Sequence, residues 1–101
     1  MLKILKVSGD SMEPTLSNND IVLIARKKRF SENDIVVVND KTHGLIIKRL
    51  EKIYDNKIQL ASDNKETKSI TCEKSHDFKD VMGKYLFKIN SSHFLCRIFQ
   101  A

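Results

Sequence analysis

Short apolar runs rich in β-branched residues recur along this chain, and each run is bounded by Asn, Asp, Ser or Gly. Such side chains favour extended backbone, and their spacing of about eight to twelve residues is typical of a small β-barrel or sandwich. The sequence therefore predicts a mostly β fold, with loops over the polar stretches 62–68 and 73–79. We expect strands at residues 2–7, 21–24, 35–38, 45–47 and 57–61, a weaker one at 69–72, and a longer extended segment at 81–89.

Two predicted turns have matching chemistry. Asn18-Asn19-Asp20 and Glu32-Asn33-Asp34 each place Asn-Asp directly before a β-branched run. Asn is one of the few residues other than Gly that accept a left-handed backbone at small cost. We therefore expect each turn to lead the chain into a strand.

The length of 101 residues suits one compact domain, which we expect to span residues 1–101. The longest apolar run without a charge, Ile21–Ala25, is far shorter than the ~20 residues that a membrane helix needs. Lysines interrupt the first residues of the chain, so they do not form a secretory signal. Cys72 and Cys96 form no CxxC pair and predict reduced thiols in a cytoplasmic protein, with association at a membrane surface left open.

The stretch 7–16, VSGDSMEPTL, contains the only proline of the chain, one of its three glycines and several hydroxyl side chains. This composition predicts a stiff, shaped loop that could present Ser8 or Ser11 as a nucleophile. A serine hydroxyl reacts slowly unless a neighbouring base accepts its proton. A base is therefore needed elsewhere in the chain.

Lys48 is the strongest candidate for this base. It follows three apolar residues in a predicted strand, and burial among them would lower its pKa from about 10.4 toward neutrality. A lysine in a strand more often extends its charged end to the surface, so both placements stay open on this pattern alone. Arg49 is expected to face the opposite side, to remain charged and exposed, and to lower the pKa of Lys48 further. The histidines lie in polar stretches and are expected at the surface: His43, His76 and His93.

Four segments together resemble the ordered motif set of the Ser/Lys-dyad peptidases, the superfamily of the type I signal peptidases and the LexA-like self-cleaving repressors. They are GDSMEPTL at 9–16, NDIVLI at 19–24, NDIVV at 33–37 and IKRL at 47–50, and a fainter similarity continues at 60–64 and 81–85. The resemblance covers almost the whole chain. It implies a coiled antiparallel β-sheet, or small barrel-like domain, of the signal peptidase and LexA type.

The resemblance also implies Ser11 as the nucleophile and Lys48 as the neutral general base, beside a groove that holds an extended substrate. In the loop, Asp10 and Met12 flank the nucleophile, Met12 is expected to pack beside it, and Pro14 stiffens the turn. The backbone N–H of Ser11 is the first expected oxyanion donor. Many signal peptidases have a serine where this chain has Gly9, so the second donor is either another backbone N–H or absent. No cofactor and no metal is implied.

The chain departs from these relatives in several ways. Asn19 and Asn33 stand where the superfamily commonly has Gly, a change that the turns should tolerate. We expect neither the membrane anchor of signal peptidases nor the DNA-binding domain of the repressors, because the chain begins shortly before the Ser11 loop. The separation of Ser11 and Lys48 is closer to the repressor-type branch, whereas the motif SMEPTL is at home in the signal-peptidase branch. The choice between the two branches stays open.

The formal net charge of +5 would permit binding to nucleic acid or anionic lipid. The densest basic run, RKKR at 26–29, lies between two apolar segments and predicts a solvated loop, so we do not expect a nucleic-acid partner. The stretch 92–99, SHFLCRIF, predicts a last strand or a contact for self-association. Cys72 and His76 have metal-ligand chemistry but no second pair of ligands, so we expect no metal site.

The leading hypothesis is therefore a serine endopeptidase that uses Ser11 and Lys48 to cleave an extended segment of a peptide or precursor protein, in the manner of a signal peptidase or maturation protease. The alternative is a regulatory or binding module that holds a peptide strand in the same groove without cleaving it. Covalent labelling of Ser11 would separate the two.

Overall fold

The computed structural model describes residues 1–26, 29–67, 72 and 74–89. Its seven strands form one sheet, and neighbouring strands are antiparallel. A short 3₁₀ turn, Phe78–Asp80, leads into the last strand. The strands are β1 (Leu2–Lys6), β2 (Ile21–Ala25), β3 (Ile35–Asp40), β4 (Gly44–Tyr54), β5 (Lys57–Ala61), β6 (Ser75–Asp77) and β7 (Val81–Lys88).

The strand order in the sheet is β1-β2-β7-β3-β4-β5-β6, so the last strand in sequence lies between β2 and β3. The sheet curls into a half-barrel, and the predicted mostly β, coiled antiparallel fold is confirmed. No helix among the described residues has the length and apolar character to cross a membrane.

The core consists of two clusters that meet at β3. Val37 belongs to the first cluster together with Met12, Leu16 and Val22. Val36 and Val38 belong to the second. Successive side chains of a strand point to opposite faces, so β3 is buried on both faces. A strand in this position needs a continuous apolar run, which explains the sequence IVVV at its start.

β4 changes its partner halfway along its length. Residues 44–49 pair with β3, whereas Arg49 and the residues after it pair with β5. The link to β5 is a tight hairpin in which Asp55 and Asn56 both have positive φ, 49° and 61°. The strand predicted at 45–47 is therefore only the first part of β4, because the charged second half is stabilised by its pairing with β5.

Two turns of the same construction precede β2 and β3. Asn19 and Asn33 lie in the left-handed region, with φ of 74° and 78°, as the sequence predicts. The aspartate after each accepts a hydrogen bond from the backbone N–H of the serine three residues earlier, at 2.8 Å in the first turn and 2.9 Å in the second. This side-chain bond closes each turn on itself.

Each of these turns is also bonded to an extended segment. Val7 donates its N–H to the carbonyl of Asp20 and accepts one from Asn19, both at 2.8 Å. Leu50 makes the same two bonds with Asp34 and Asn33, both at 2.7 Å. Two matching contacts therefore hold the start of the Ser11 loop and the middle of β4.

The remaining strand predictions have mixed outcomes. The strands expected at 2–7, 57–61 and 81–89 are confirmed as β1, β5 and β7. The loop predicted at 73–79 is wrong in part, because it contains β6 and the start of the 3₁₀ turn. β6 has only three residues, Ser-His-Asp, which do not favour a strand by themselves. It forms because it pairs with β5, where His76 lies opposite Ile58. The predictions for 27–28, 69–71 and 92–99, and those for His93 and Cys96, lie outside the described residues.

Candidate active site

The structure brings Ser11 and Lys48 together. Lys48 Nζ lies 2.7 Å from Ser11 Oγ, within hydrogen-bond distance. Ser11 lies in the loop after β1, whereas Lys48 lies in β4, opposite Val36 of β3. The contact therefore joins residues that are 37 positions apart in the sequence.

Lys48 is buried, with only 6% of its surface exposed. Val36, its partner in register, and Leu50, two residues further along β4, both belong to the second core cluster, so the side chain of Lys48 leaves the sheet on an apolar face. Desolvation lowers the pKa of Lys48 below that of a free lysine, and interaction with Cys72 opposes this effect. The neutral amine that a general base requires is favoured by this environment.

The expectation that Arg49 is exposed and lowers the pKa of Lys48 is wrong. Arg49 is half-buried and forms a two-point ion pair with Asp63. Arg49 Nε donates to Asp63 Oδ1 at 3.1 Å, and Arg49 Nη2 donates to Asp63 Oδ2 at 2.6 Å. The hydrogen bond to Asp63 raises the pKa of Arg49, so the guanidinium does stay charged. The main cause of the lowered pKa of Lys48 is burial, and the charge of Arg49 is paired with Asp63.

Ser62 is a second hydroxyl partner of Lys48. Lys48 Nζ lies 3.2 Å from Ser62 Oγ, and Ser62 Oγ lies 3.6 Å from Cys72 Sγ. Ser62 directly follows β5, whose last residue, Ala61, pairs with Arg49 of β4. From the sequence, Ser62 lies in a predicted polar loop and within the fainter family similarity at 60–64, but no role is assigned to it. The sequence feature that could have identified Ser62 is its position: it is a hydroxyl residue directly after β5, the strand that pairs with β4 next to Lys48.

The segment after β5 also fastens the Ser11 loop. Asn64 donates its backbone N–H to the carbonyl of Ser11 at 2.9 Å and its side-chain amide to the carbonyl of Asp10 at 3.0 Å. Thr15 donates its hydroxyl to Asp63 at 2.6 Å. Three hydrogen bonds therefore connect the Ser11 loop to the segment that contains Ser62 and Asp63.

The loop residues have distinct environments. Gly9 has a φ of 90° and donates its N–H to Asn18 Oδ1 at 2.8 Å, so this N–H is already engaged. Met12 is 1% exposed and belongs to the first core cluster, which anchors the loop from below. The side chain of Asp10 is at the exposed surface, and Pro14 follows a cis peptide bond. Within the described part of the chain, no hydrogen bond uses the N–H of Ser11.

The two histidines in the described part of the chain, His43 and His76, both lie beside Asp40. His43 is exposed as predicted, and its Nδ1 lies 2.8 Å from Asp40. His76 is 6% exposed, so its predicted surface position is wrong. It is buried because β6 pairs with β5 and brings His76 beside the buried carboxylate of Asp40, at 3.7 Å. Hydrogen bonds from His43 and Lys74 hold the pKa of Asp40 well below its usual range.

A groove runs beside Ser11 between β1 and the first half of β4. It has a volume of about 330 Å³ and is lined by residues 5–8 of β1 and the chain after it, residues 45–48 of β4, Ser11 and His43. β1 is the first strand of the sheet, and residues 44–48 pair only with β3 among the described residues. Both walls therefore include strand edges that have no partner in the described part of the chain.

Comparison with known proteins shows to which family the chain belongs. No protein with a curated description matches the chain significantly. The sequence profile of the Peptidase S24-like family matches residues 1–86, which include Ser11, Lys48, the groove and all the strands up to most of β7. This match confirms the predicted resemblance to the Ser/Lys-dyad peptidases. The chain belongs to the Peptidase S24-like family.

Proposed function

We propose that this protein is a serine endopeptidase in which Ser11 is the nucleophile and Lys48 the general base. The observation that carries the proposal is the 2.7 Å contact between the Ser11 hydroxyl and the amine of a buried lysine. A lysine needs burial to be neutral near physiological pH, and a serine needs a base within hydrogen-bond distance. Both conditions hold here.

The reaction begins when Ser11 Oγ attacks the carbonyl carbon of the scissile peptide and Lys48 Nζ takes the hydroxyl proton. The tetrahedral intermediate places its negative charge on the former carbonyl oxygen, where the N–H of Ser11 can donate to it. Lys48 then returns the proton to the leaving nitrogen as the C–N bond breaks. Water attacks the acyl-enzyme, Lys48 accepts its proton, and Ser11 regains its own.

Ser62 positions the base in this scheme. Its hydroxyl offers Lys48 Nζ a second acceptor at 3.2 Å, which limits the directions in which the amine can point. Ser62 contacts Lys48 and is not among the described residues that line the groove, so it is a positioning residue.

The substrate is an extended peptide segment that lies in the groove. A strand inserted between β1 and residues 44–48 of β4 would hydrogen-bond to backbone edges on both sides, which is the β-augmentation mode of peptide recognition. Apolar residues such as Leu5 and Ile47 line the walls, so the peptide would bury side chains as well as backbone.

A biotinylated fluorophosphonate tests the proposal directly. The wild-type protein is expected to be labelled at Ser11, as identified by peptide mass spectrometry. Lys48→Met should abolish labelling, because Met fills the same buried space as an unbranched side chain but has no amine to accept the proton. Ser8→Ala is the matched control, since Ser8 lines the same groove and makes no hydrogen bond with Lys48. Failure to label Ser11 from about pH 6 to about pH 10, where a perturbed lysine titrates, would refute the peptidase proposal. Peptide binding without labelling would favour the binding-module alternative.

A further inference from the structure

The charged residues along the groove have a single sign. Lys6 lines the groove beside Ser11, and a smaller cavity of about 20 Å³ continues it, sharing Leu5, Val37 and Leu45 and adding Lys3 and Arg26. No carboxylate is present among the described residues that line either cavity. The apolar floor of the groove is therefore bordered by positive charge only.

These three cations have no acidic partner in the described part of the chain. Lys3, Lys6 and Arg26 are exposed. The ion pairs of the described residues engage other basic residues instead, including Lys57, Lys74, Lys84 and Lys88. The charges along the groove are thus available to a ligand, without an existing ion pair that must first be broken.

The charge reverses on the other side of Ser11. A second cavity, of about 620 Å³, is lined by Asp10, Glu13 and Glu66, and its described lining residues include no lysine or arginine. It adjoins the nucleophile because Asp10 precedes Ser11 and Asn64, another lining residue, is hydrogen-bonded to the carbonyl of Ser11. The described surroundings of Ser11 are therefore basic on the side of the groove and acidic on the side of this second cavity.

The basic residues follow one another along the groove. Leu5 and Leu45 line both cavities, so the end that carries Lys3 and Arg26 is the end away from Ser11. Lys3 precedes Lys6 by three residues, which is about 10 Å at the ~3.3 Å rise of a strand. An extended substrate beside β1 would therefore meet Lys6 nearer to the scissile bond and Lys3 about three residues further away.

We propose that the groove selects an extended substrate segment with acidic side chains on the β1 side of the scissile bond, and that Lys3, Lys6 and Arg26 recognise those charges. This inference rests on the proposed peptidase function and specifies its substrate class. Complementary charges on a peptide and its groove raise the association rate and reject peptides of the opposite charge, and both effects weaken with added salt.

Two pairs of fluorescein-labelled peptides test this inference. All are extended sequences of Val and Ala, and the two members of a pair differ only in carrying two Asp or two Lys residues. These residues lie near the N-terminus in the first pair and near the C-terminus in the second. Binding is measured by fluorescence anisotropy with the Ser11→Ala protein, so that no turnover is needed. We expect an aspartate peptide of one pair to bind about tenfold more tightly than its lysine counterpart at low salt, with the ratio approaching unity at high salt.

The variant Lys3→Gln/Lys6→Gln/Arg26→Gln, in the same background, should remove most of this preference. Lys52→Gln is the matched control, because Lys52 is an exposed lysine in the second half of β4 and lines neither cavity. The substituted positions are exposed, and circular dichroism should show the same fold for all these proteins. Equal affinity for the peptides of both pairs, no binding of any peptide, or a preference that survives the triple substitution would overturn the inference.

These outcomes are separable from those of the fluorophosphonate experiment. Labelling of Ser11 without a charge preference would refute the substrate inference and leave the peptidase proposal in place. A charge preference without labelling would refute the peptidase proposal and leave the charge preference as a property of peptide binding in the groove.

Discussion

Arg49 and Asp63 form a two-point ion pair between the residues that directly follow Lys48 and Ser62. Asp63 also accepts a hydrogen bond from the hydroxyl of Thr15. Its carboxylate therefore joins β4, the segment after β5 and the Ser11 loop. The hydrogen bond from Arg49 is the main reason that the pKa of Asp63 is lowered. This ion pair supports the candidate site from outside the reacting groups.

Replacing Asp63 by Asn should destabilise the fold and loosen the site. Both side chains are partly buried, 16% exposed for Asp63 and 31% for Arg49, so we expect a loss of about 1–2 kcal/mol in the free energy of unfolding. Urea denaturation at neutral pH measures this loss. The control is Asp77→Asn, which removes the exposed pair with Lys57 and should change stability little. An equal effect of the two substitutions would contradict this role of Asp63.

The contribution of Asp63 should also disappear in acid. Its pKa is lower in the folded than in the unfolded chain, so the stabilisation is complete above the unfolded value of about 3.9 and is lost as the pH falls through the folded value. The difference in stability between the wild type and Asp63→Asn should therefore shrink below about pH 4. A difference that stays constant into acid would be inconsistent with an ionised Asp63.

The rate of Ser11 labelling should rise with pH and level off once Lys48 is neutral. Because burial lowers the pKa of Lys48, the midpoint should lie below the ~10.4 of a free lysine. Initial labelling rates over a pH series measure it. His43→Gln should leave the midpoint unchanged, since His43 Nδ1 lies within hydrogen-bond distance of Asp40 and His43 makes no hydrogen bond with Ser11 or Lys48 among the described residues. A midpoint that disappears in this variant would identify a histidine base instead.

Lys48 should also leave a signature in stability. Its pKa is lower in the folded than in the unfolded chain, so between these two values the unfolded chain binds more protons and the free energy of unfolding rises with pH. Below the folded value, the cost of burying the charged amine is fully present. Urea denaturation over a pH series should show that Lys48→Met lacks this rise, whereas Lys52→Met, at an exposed position, retains it. Identical pH profiles for the wild type and Lys48→Met would contradict the assignment.

Ser62→Ala should slow Ser11 labelling by about tenfold, because the amine of Lys48 loses one of its two hydroxyl partners and is less well directed at Ser11. Ser62→Thr keeps a hydroxyl and should recover most of the rate. The pH profile of each variant distinguishes a positioning role from a general loss of folding, because a misfolded site would also lose its lowered midpoint. Unchanged labelling in Ser62→Ala would exclude the role that we assign to Ser62.

The paired turns provide a test of backbone conformation. Asn19→Gly and Asn33→Gly should be tolerated, because Gly adopts positive φ without strain. Asn19→Val and Asn33→Val should each cost about 1–2 kcal/mol, the approximate penalty for a left-handed backbone at such residues. Thermal or urea unfolding measures these effects. Equal stability of the Gly and Val variants would show that the left-handed conformation is unimportant.

Much of the fold could be predicted because its signals are local. The β-branched runs that became β2 and β3, the alternating residues that became β5, and the left-handed turns at Asn19 and Asn33 depend on residues that are close in sequence. The burial of His76 and the hydrogen bond between Ser62 and Lys48 depend on which strands pair, so their own segments contain little trace of them. The resemblance identified Ser11 and Lys48 as partners, whereas the contact of Arg49 with Asp63 required the register of β4 against β5.

The pairing of β3 with β4 has a consequence for the chemistry itself. Val36 lies opposite Lys48, and β3 is buried on both faces, so a shift of one residue would move apolar and charged side chains to the wrong faces. That shift would also exchange the faces of Lys48 and Arg49. A guanidinium is protonated at any physiological pH and cannot serve as a base. The alignment of one strand pair thus decides whether Ser11 faces the amine of Lys48 or a permanent cation, so the proposed chemistry depends on the packing of β3.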